Sequence, residues 1–324
     1  MTVEPSPCKK AVDDFMKSTF LWQNLESTTI RDHVYRRLHL NMPVTICIAT
    51  IAEADNYPKI VFSADRLLSG YVQFEHGNQK IFDLKKNCRL MLAGDPLKGG
   101  LIVSAVKKQI DTKEISITEI ADVVSVECGK LRNKIAEQRI LSPRGLTIKE
   151  FYSQIKLFPE WFSDSVDEEL QEDPFQLSFL LFGVEKENPY LYEIKTNGEV
   201  NSYDSLGFAA IGIGAGQSIA ELGRYQYGSN ISLSQAIQLT YLAKKEAERV
   251  SGVGKETDLG ILYTTNKGEV EEWRADKDFL KMLDNQILKM HGFELQLQKE
   301  TESAIHDILY GEEGKKESEK HEPA

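Results

Sequence analysis

The run from Thr45 to Gly94, TICIATIAEADNYPKIVFSADRLLSGYVQFEHGNQKIFDLKKNCRLMLAG, limits the fold more than any other part of the chain, because it reads as two β-hairpins in succession. Thr45–Ala52 alternates apolar with small or polar residues, Lys59–Ala64 is β-branched and apolar, and Ala54–Pro58 between them holds turn residues. That pattern predicts strand, turn, strand. The second strand runs into an acid and a base, Asp65-Arg66, and the next strand, Lys80–Leu84, opens on a lysine. A further strand over Cys88–Ala93 stops at Gly94. Antiparallel strands with these ends can bring an acid, a lysine and a glycine to one place, with the rest of the chain covering the sheet.

The chain has 324 residues and 41% hydrophobic content, enough for a substantial core in one large domain or two small ones. Apolar runs such as Phe179–Val184 fall far short of the roughly 20 residues that cross a bilayer. Met1–Leu40 carries no apolar signal-peptide core. The expectation is a cytoplasmic protein without a membrane partner. Net charge is −11, from 39 basic and 50 acidic residues, which argues against a nucleic-acid partner. Cys8, Cys47, Cys88 and Cys128 are scattered and the six histidines show no ligand spacing, so no metal, cofactor or disulfide framework is expected. Cys47 and Cys88 fall in predicted strands and read as core.

Residues 1–42 carry apolar positions at helical spacing (Val12, Phe15, Met16, Thr19, Phe20, then Val34, Tyr35, Leu38) and read as a helical extension. Arg31, Arg36 and Arg37 there form a solvated basic face or a partner contact. After Gly94 a helix is predicted over Leu97–Gln109, and Ser116-Ile-Thr-Glu119 resembles a capping box opening a second helix to about Arg139. Residues 143–174, with Pro-Arg-Gly, a short helix at Ile148–Ile155 and an acidic run, read as an insertion. A second sheet segment follows at Phe175–Val184, Tyr190–Ile194 and Glu199–Tyr203, with an Asn197-Gly198 turn. Phe208–Ile213 is a strand, then come helices at about Gln217–Tyr225 and, capped by Ser232, Leu233–Val250. Strands at Thr257–Thr264 and Glu269–Trp273 close the domain, 43–275. Residues 276–310 read as a C-terminal helix and 311–324 as a charged, disordered tail. With the two halves of this order stacked, the fold class is α+β: a four-layer αββα sandwich in which two antiparallel sheets face each other under helices.

The segments KIVFSADR (Lys59–Arg66), QKIF (Gln79–Phe82) and LAGD (Leu92–Asp95) opening a helix resemble the proteasome β-type and HslV-type subunits of the N-terminal-nucleophile (Ntn) hydrolases. AIGIGAG (Ala210–Gly216), SLSQAIQLTYLAKKEAE (Ser232–Glu248) and TDLGILYTTN (Thr257–Asn266) agree in order and spacing, so the likeness spans about Thr45–Trp273. What the resemblance implies is a threonine-type peptidase with its nucleophile at the start of the first strand and its own α-amino group as base. An aspartate and a lysine set the protonation of that group, and a backbone N–H at a later strand end binds the oxyanion. By motif match these roles fall on Thr45, Asp65, Lys80 and Gly94, with Arg66, Thr257 and Asp258 supporting. The resemblance also implies a homo-oligomeric ring around a closed chamber, peptide or protein substrates, a removable segment 1–44 and an ATPase or regulatory partner.

The sequence departs from that family pattern at several points. Forty-four residues precede Thr45, and the one before it is Val44 rather than glycine. Ile213 stands where a serine is usual between glycines, and Gly254-Lys-Glu-Thr257-Asp258 replaces an Asp-x-x-Ser group, with Thr257 or Asp258 as partial substitutes. These departures fit a non-catalytic structural or regulatory member of the superfamily, and a small-amide amidohydrolase is a third reading. Asp65-Arg66 taken alone is equally a surface ion pair at a strand end. Gly212-x-Gly214-x-Gly216 lacks dinucleotide-loop spacing, and Gly252-Val-Gly254-Lys255 follows a helix and precedes a strand, the reverse of a phosphate loop.

Overall fold

A computed structural model of the chain describes residues 45–54, 57–69, 73–75, 80–172, 175–228 and 230–310. The expected N-terminal helices and C-terminal tail, 1–44 and 311–324, lie outside the described residues. The first predicted hairpin is β1 (Cys47–Ala54) with β2 (Tyr57–Asp65), in a register that pairs Cys47 with Ala64 and Ile51 with Ile60. A short hairpin follows, β3 (Leu67–Ser69) with β4 (Gln73–Glu75), and then the second predicted one, β5 (Ile81–Lys85) with β6 (Cys88–Gly94).

Asp95 ends this run and caps α1 (Pro96–Ile110). Its Oδ1 accepts from Leu97 N at 2.9 Å and Lys98 N at 3.3 Å, and proline at the first helical position gives up no bond the helix needs. Ser116 and Glu119 form the reciprocal capping box of α2 (Ile117–Ala136). The remaining α-helices and strands are α3 (Ile148–Gln154), α4 (Glu160–Gln171), β7 (Leu177–Glu185), β8 (Asn188–Lys195), β9 (Val200–Ser202), β10 (Phe208–Ile211), α5 (Ala215–Arg224), α6 (Leu233–Ala247), β11 (Thr257–Thr264), β12 (Val270–Arg274) and α7 (Lys277–Tyr310).

The fold is the expected four-layer sandwich, with one antiparallel sheet ordered β10-β1-β2-β11-β12 and the other β5-β6-β7-β8-β9. Three cores hold the layers together. Cys47, Ala49, Phe62, Met91, Leu180, Phe182 and Ile211 fill the space between the sheets. Ile46, Ile48 and Val61, on the opposite face of the same strands, pack under Leu222 of α5, Tyr241 and Ala243 of α6, and Leu283 and Ile287 of α7. Leu90, Phe179 and Leu181 pack under Ile102 and Val106 of α1 and Ile120 and Val124 of α2. Strands buried on both faces must be apolar at nearly every position, and these are.

One expectation about organisation is corrected. The sheets are not the two halves of the chain: the middle, β5 to β9, makes one sheet, and the flanks, β1, β2 and β10 to β12, make the other. Strands buried on both faces carry no period that says which sheet they join. The acidic run in the insertion is helix α4, whose Val166 and Leu170 turn inward onto Ile140, Leu141 and Phe151 while the carboxylates stay on the outer face.

Candidate functional site

β2 is central in its sheet, and its last residue, Asp65, lies between the chain leading into β1 and the start of β11. Asp65 N donates to Ile46 O at 3.1 Å, and Thr257 is its partner across β11. The Asp65 side chain is fully buried, and five donors converge on it. Its Oδ1 accepts from Thr45 Oγ1 (2.5 Å), Ile46 N (3.0 Å) and Lys80 Nζ (2.7 Å). Its Oδ2 accepts from Gly254 N (2.9 Å) and Leu67 N (3.3 Å). Lys80 reaches this cluster from the other sheet. It precedes β5, and its carbonyl takes Leu92 N of β6 at 3.1 Å. Its ammonium also donates to Thr45 Oγ1.

Thr45, Asp65 and Lys80 therefore meet where the two sheets approach, with Thr45 only 2% exposed. The Thr45 hydroxyl donates to a carboxylate and accepts from an ammonium. That arrangement polarises the O–H bond and places a positive charge where an alkoxide would form. The neighbouring Cys47 thiol is held in its protonated form, because burial pushes it up to about 12 against the opposing pull of the Lys80 charge. Its Sγ donates weakly to Leu92 O at 3.6 Å.

The glycine run after β10 wraps the Thr45 backbone. Gly214 N donates to Thr45 O at 3.3 Å, and Gly212, at φ +102°, lies so close that a Cβ there would stand 2.3 Å from the same oxygen. This close approach gives the glycines a structural reason unconnected with a nucleotide. Ile213 between them packs into the α5–α6 core, so no hydroxyl is presented there.

Other predicted residues stand beside the cluster rather than in it. Arg66 clamps Asp258 through Nε (3.0 Å) and a terminal nitrogen (2.5 Å), both on Oδ1, while the buried Asp258 Oδ2 has no hydrogen-bond partner among the described residues. The Thr257 hydroxyl donates to Lys255 O at 3.3 Å. Gly94 ends β6 beside Gln176 and Leu177 and is not hydrogen-bonded to Thr45, Asp65 or Lys80.

Lys244 was not among the residues expected at the site. It is fully buried in α6, and its Nζ donates to Glu248 Oε1 (2.5 Å), Gly254 O (3.1 Å) and Lys255 O (2.9 Å). Burial lowers its pKa and the Glu248 charge opposes that shift. A helical lysine four residues before a glutamate reads as a solvated pair, so the sequence carried a signal for the pair but none for its depth. Among the described residues no group of three or more His, Cys, Asp or Glu could hold a metal ion, and no helix is long and apolar enough to cross a membrane.

The sequence model of the family described as proteasome subunit matches residues 149–262, which include β7 to β10 and α6 but not Thr45, Asp65 or Lys80. No curated protein matches the sequence. Solved structures that match the fold include two of Anbu. One is the Anbu (Gly-1) mutant from Hyphomicrobium sp. strain MC1, at 17% identity and TM-score 0.54, over 78% of this chain and 96% of that one. The other is Anbu (ancestral beta-subunit) from Yersinia bercovieri, at 16% identity and TM-score 0.54, over 78% of this chain and 97% of that one. The chain thus has a proteasome-like Ntn-hydrolase fold, and the matched segment supports a proteasome-type family for it.

Proposed function

We propose that this protein is a proteasome-like subunit acting as a threonine-type peptidase, with Thr45 as the nucleophile once residues 1–44 have been removed. The observation that carries the reading is the buried contact of Thr45 Oγ1 with both Asp65 and Lys80. Cleavage of the Val44–Thr45 bond turns the Thr45 nitrogen from an amide, which cannot act as a base, into an amine, which can. The hydroxyl oxygen then attacks a peptide carbonyl and its proton passes to the amine. The tetrahedral oxyanion is held by a backbone N–H, for which Gly94 is the candidate. The ammonium returns the proton to the leaving amine, and water hydrolyses the resulting ester. In this scheme Asp65 fixes Lys80, and Lys80 supplies the charge that favours the alkoxide.

The β-type or HslV-type likeness supports peptide or protein substrates, a homo-oligomeric ring enclosing the sites in a cytoplasmic chamber, and an ATPase or regulatory partner. A second reading has its own observation: Ile213 is packed into the core where a hydroxyl belongs, which suits a non-catalytic structural or regulatory subunit.

Intact mass of the purified full chain, with N-terminal sequencing of any shorter species, separates the two. The peptidase reading expects a species beginning at Thr45 that hydrolyses unstructured peptides. A chain that stays full length on long incubation overturns it in favour of the regulatory subunit.

A further inference from the structure

We infer that Lys244 is a positioning residue for the Asp65–Lys80–Thr45 cluster, acting through the loop that joins α6 to β11. The inference rests on the reading of that cluster as the reactive site and adds to it a residue that supplies what the loop's own side chains do not. Thr257 and Asp258, the side chains expected to support the site from this segment, are turned to Lys255 O and Arg66. The loop instead touches the cluster with a backbone group, the Gly254 N–H on Asp65 Oδ2 at 2.9 Å.

That N–H is useful only if the loop is held still, and Lys244 is what holds it. A buried ammonium has three N–H donors, and here three acceptors take them: Glu248 Oε1, Gly254 O and Lys255 O. Two of the three are carbonyls of the loop, so one cation clamps successive peptide units to the last turn of α6. The loop also lies against its target. A Cβ on Gly254 would stand 2.7 Å from Leu67 Cβ and 3.0 Å from Asp65 Oδ2, so the backbone has little room to shift toward the carboxylate. On the far side Arg66 N donates to Glu256 O at 3.3 Å.

Glu248 lies partly at the surface and completes the charge balance of the clamp. The charged groups felt by Lys244 are Glu248 and Asp65, which favour its ammonium form, and Lys245, which opposes it. Glu248 is therefore the direct counter-ion and Asp65 the distant one. The clamp and the site are coupled by charge as well as by the Gly254 bond. Loss of the ammonium leaves two loop carbonyls and a carboxylate without their buried donor, and the loop must then move to find water.

The test uses the full chain with Lys244→Met, which keeps the unbranched apolar stem, one atom shorter, and removes the donors, and with Lys244→Gln should the first variant fail to fold. Two readouts are taken: the 13C carboxyl resonance of Asp65, assigned with Asp65→Asn, and kcat and KM for a peptide. The expected result is a displaced Asp65 resonance together with kcat lowered about 10- to 100-fold at a KM within about twofold, the size of effect that misplacement of a catalytic group produces. In an Asp65→Asn background, Lys244→Met should lower kcat no further.

A folded Lys244 variant whose Asp65 resonance is unmoved, or whose loss of kcat simply multiplies with that of Asp65→Asn, overturns the inference and leaves Lys244 as packing. Absence of turnover in the processed wild-type chain, with the resonance still displaced by Lys244→Met, overturns the peptidase reading and leaves the positioning role standing.

Discussion

Charge is buried between the sheets at two places, around Asp65 and around Arg89, and the two clusters do different things with the same materials. Both link one sheet to the other: Asp65 on β2 to Lys80 ahead of β5, and Arg89 on β6 to Glu272 on β12 at 2.6 Å. Arg89 directs its remaining donors at structure. Its Nε also meets Asp83 Oδ1 at 2.8 Å, and a terminal nitrogen donates to the carbonyls of Lys85, Lys86 and Cys88, pinning the turn where the β5–β6 register shifts. Lys80 and Asp65 both direct a bond at a hydroxyl. A buried ion pair therefore says little about function until one asks what else it touches; a threonine Oγ between acid and base is a different object from an arginine closed over carbonyls.

The sharpest way to break the comparison is to remove the third partner. Thr45→Ala and Lys80→Ala should each lower peptide turnover by about ten-thousand-fold, the scale seen when a member of a nucleophilic constellation is deleted, with oligomeric state by sedimentation unchanged. Turnover that survives Thr45→Ala removes this residue from the mechanism.

Arg89→Met is the counterpart. It strips the buried donors from Glu272 and three carbonyls and should cost about 3 kcal/mol in urea unfolding. Turnover per folded molecule should be nearly unchanged. A fall in kcat with wild-type stability would mean that the two clusters are not separate in role.

Each cluster also has a buried thiol beside it, Cys47 near Lys80 and Cys88 next to Arg89. Burial raises both from their ordinary value of 9.0 to about 12. Between those values the folded chain keeps protons that the unfolded chain releases, so stability falls as pH rises through 9. The expected slope is about 1.4 kcal/mol per pH unit for each thiol. Urea midpoints between pH 8 and 11 should show this, and Cys88→Ala should make the slope shallower by about one proton. An unchanged slope in that variant would remove Cys88 from the alkaline transition.

The smallest effect belongs away from both clusters. Ser116→Ala breaks the capping box of α2 and should cost about 1 kcal/mol, with kcat untouched. A change in kcat there would tie the outer helical layer to the site.

Several of these features could be read from residues alone. Ser116-Ile-Thr-Glu119 announced α2, Thr257–Thr264 has the bounds expected of β11, and Asp65 and Lys80 stood at strand ends in motifs with family spacing. Arg89 and Lys244 were not legible in that way. A charged residue within a strand or helix is read as exposed by default, and what takes up each of these two lies outside its own element: Glu272, 183 positions along, for Arg89, and the loop that follows α6 for Lys244.

Local residue pattern was enough for most of the elements and for the four layers, though not for the β3–β4 hairpin or helix α4, because hydrophobic period, caps and turn residues act over a few positions and need no knowledge of the rest of the chain. It took the folded chain to settle which strands share a sheet, that the Gly254 N–H rather than the Thr257 or Asp258 side chain meets Asp65, and that a lysine of α6 bonds the carbonyl of that same Gly254. Strands apolar on both faces can pair in more than one order, and a hydrogen bond between residues 189 positions apart depends on how the sheets stack. Neighbouring residues have no access to either.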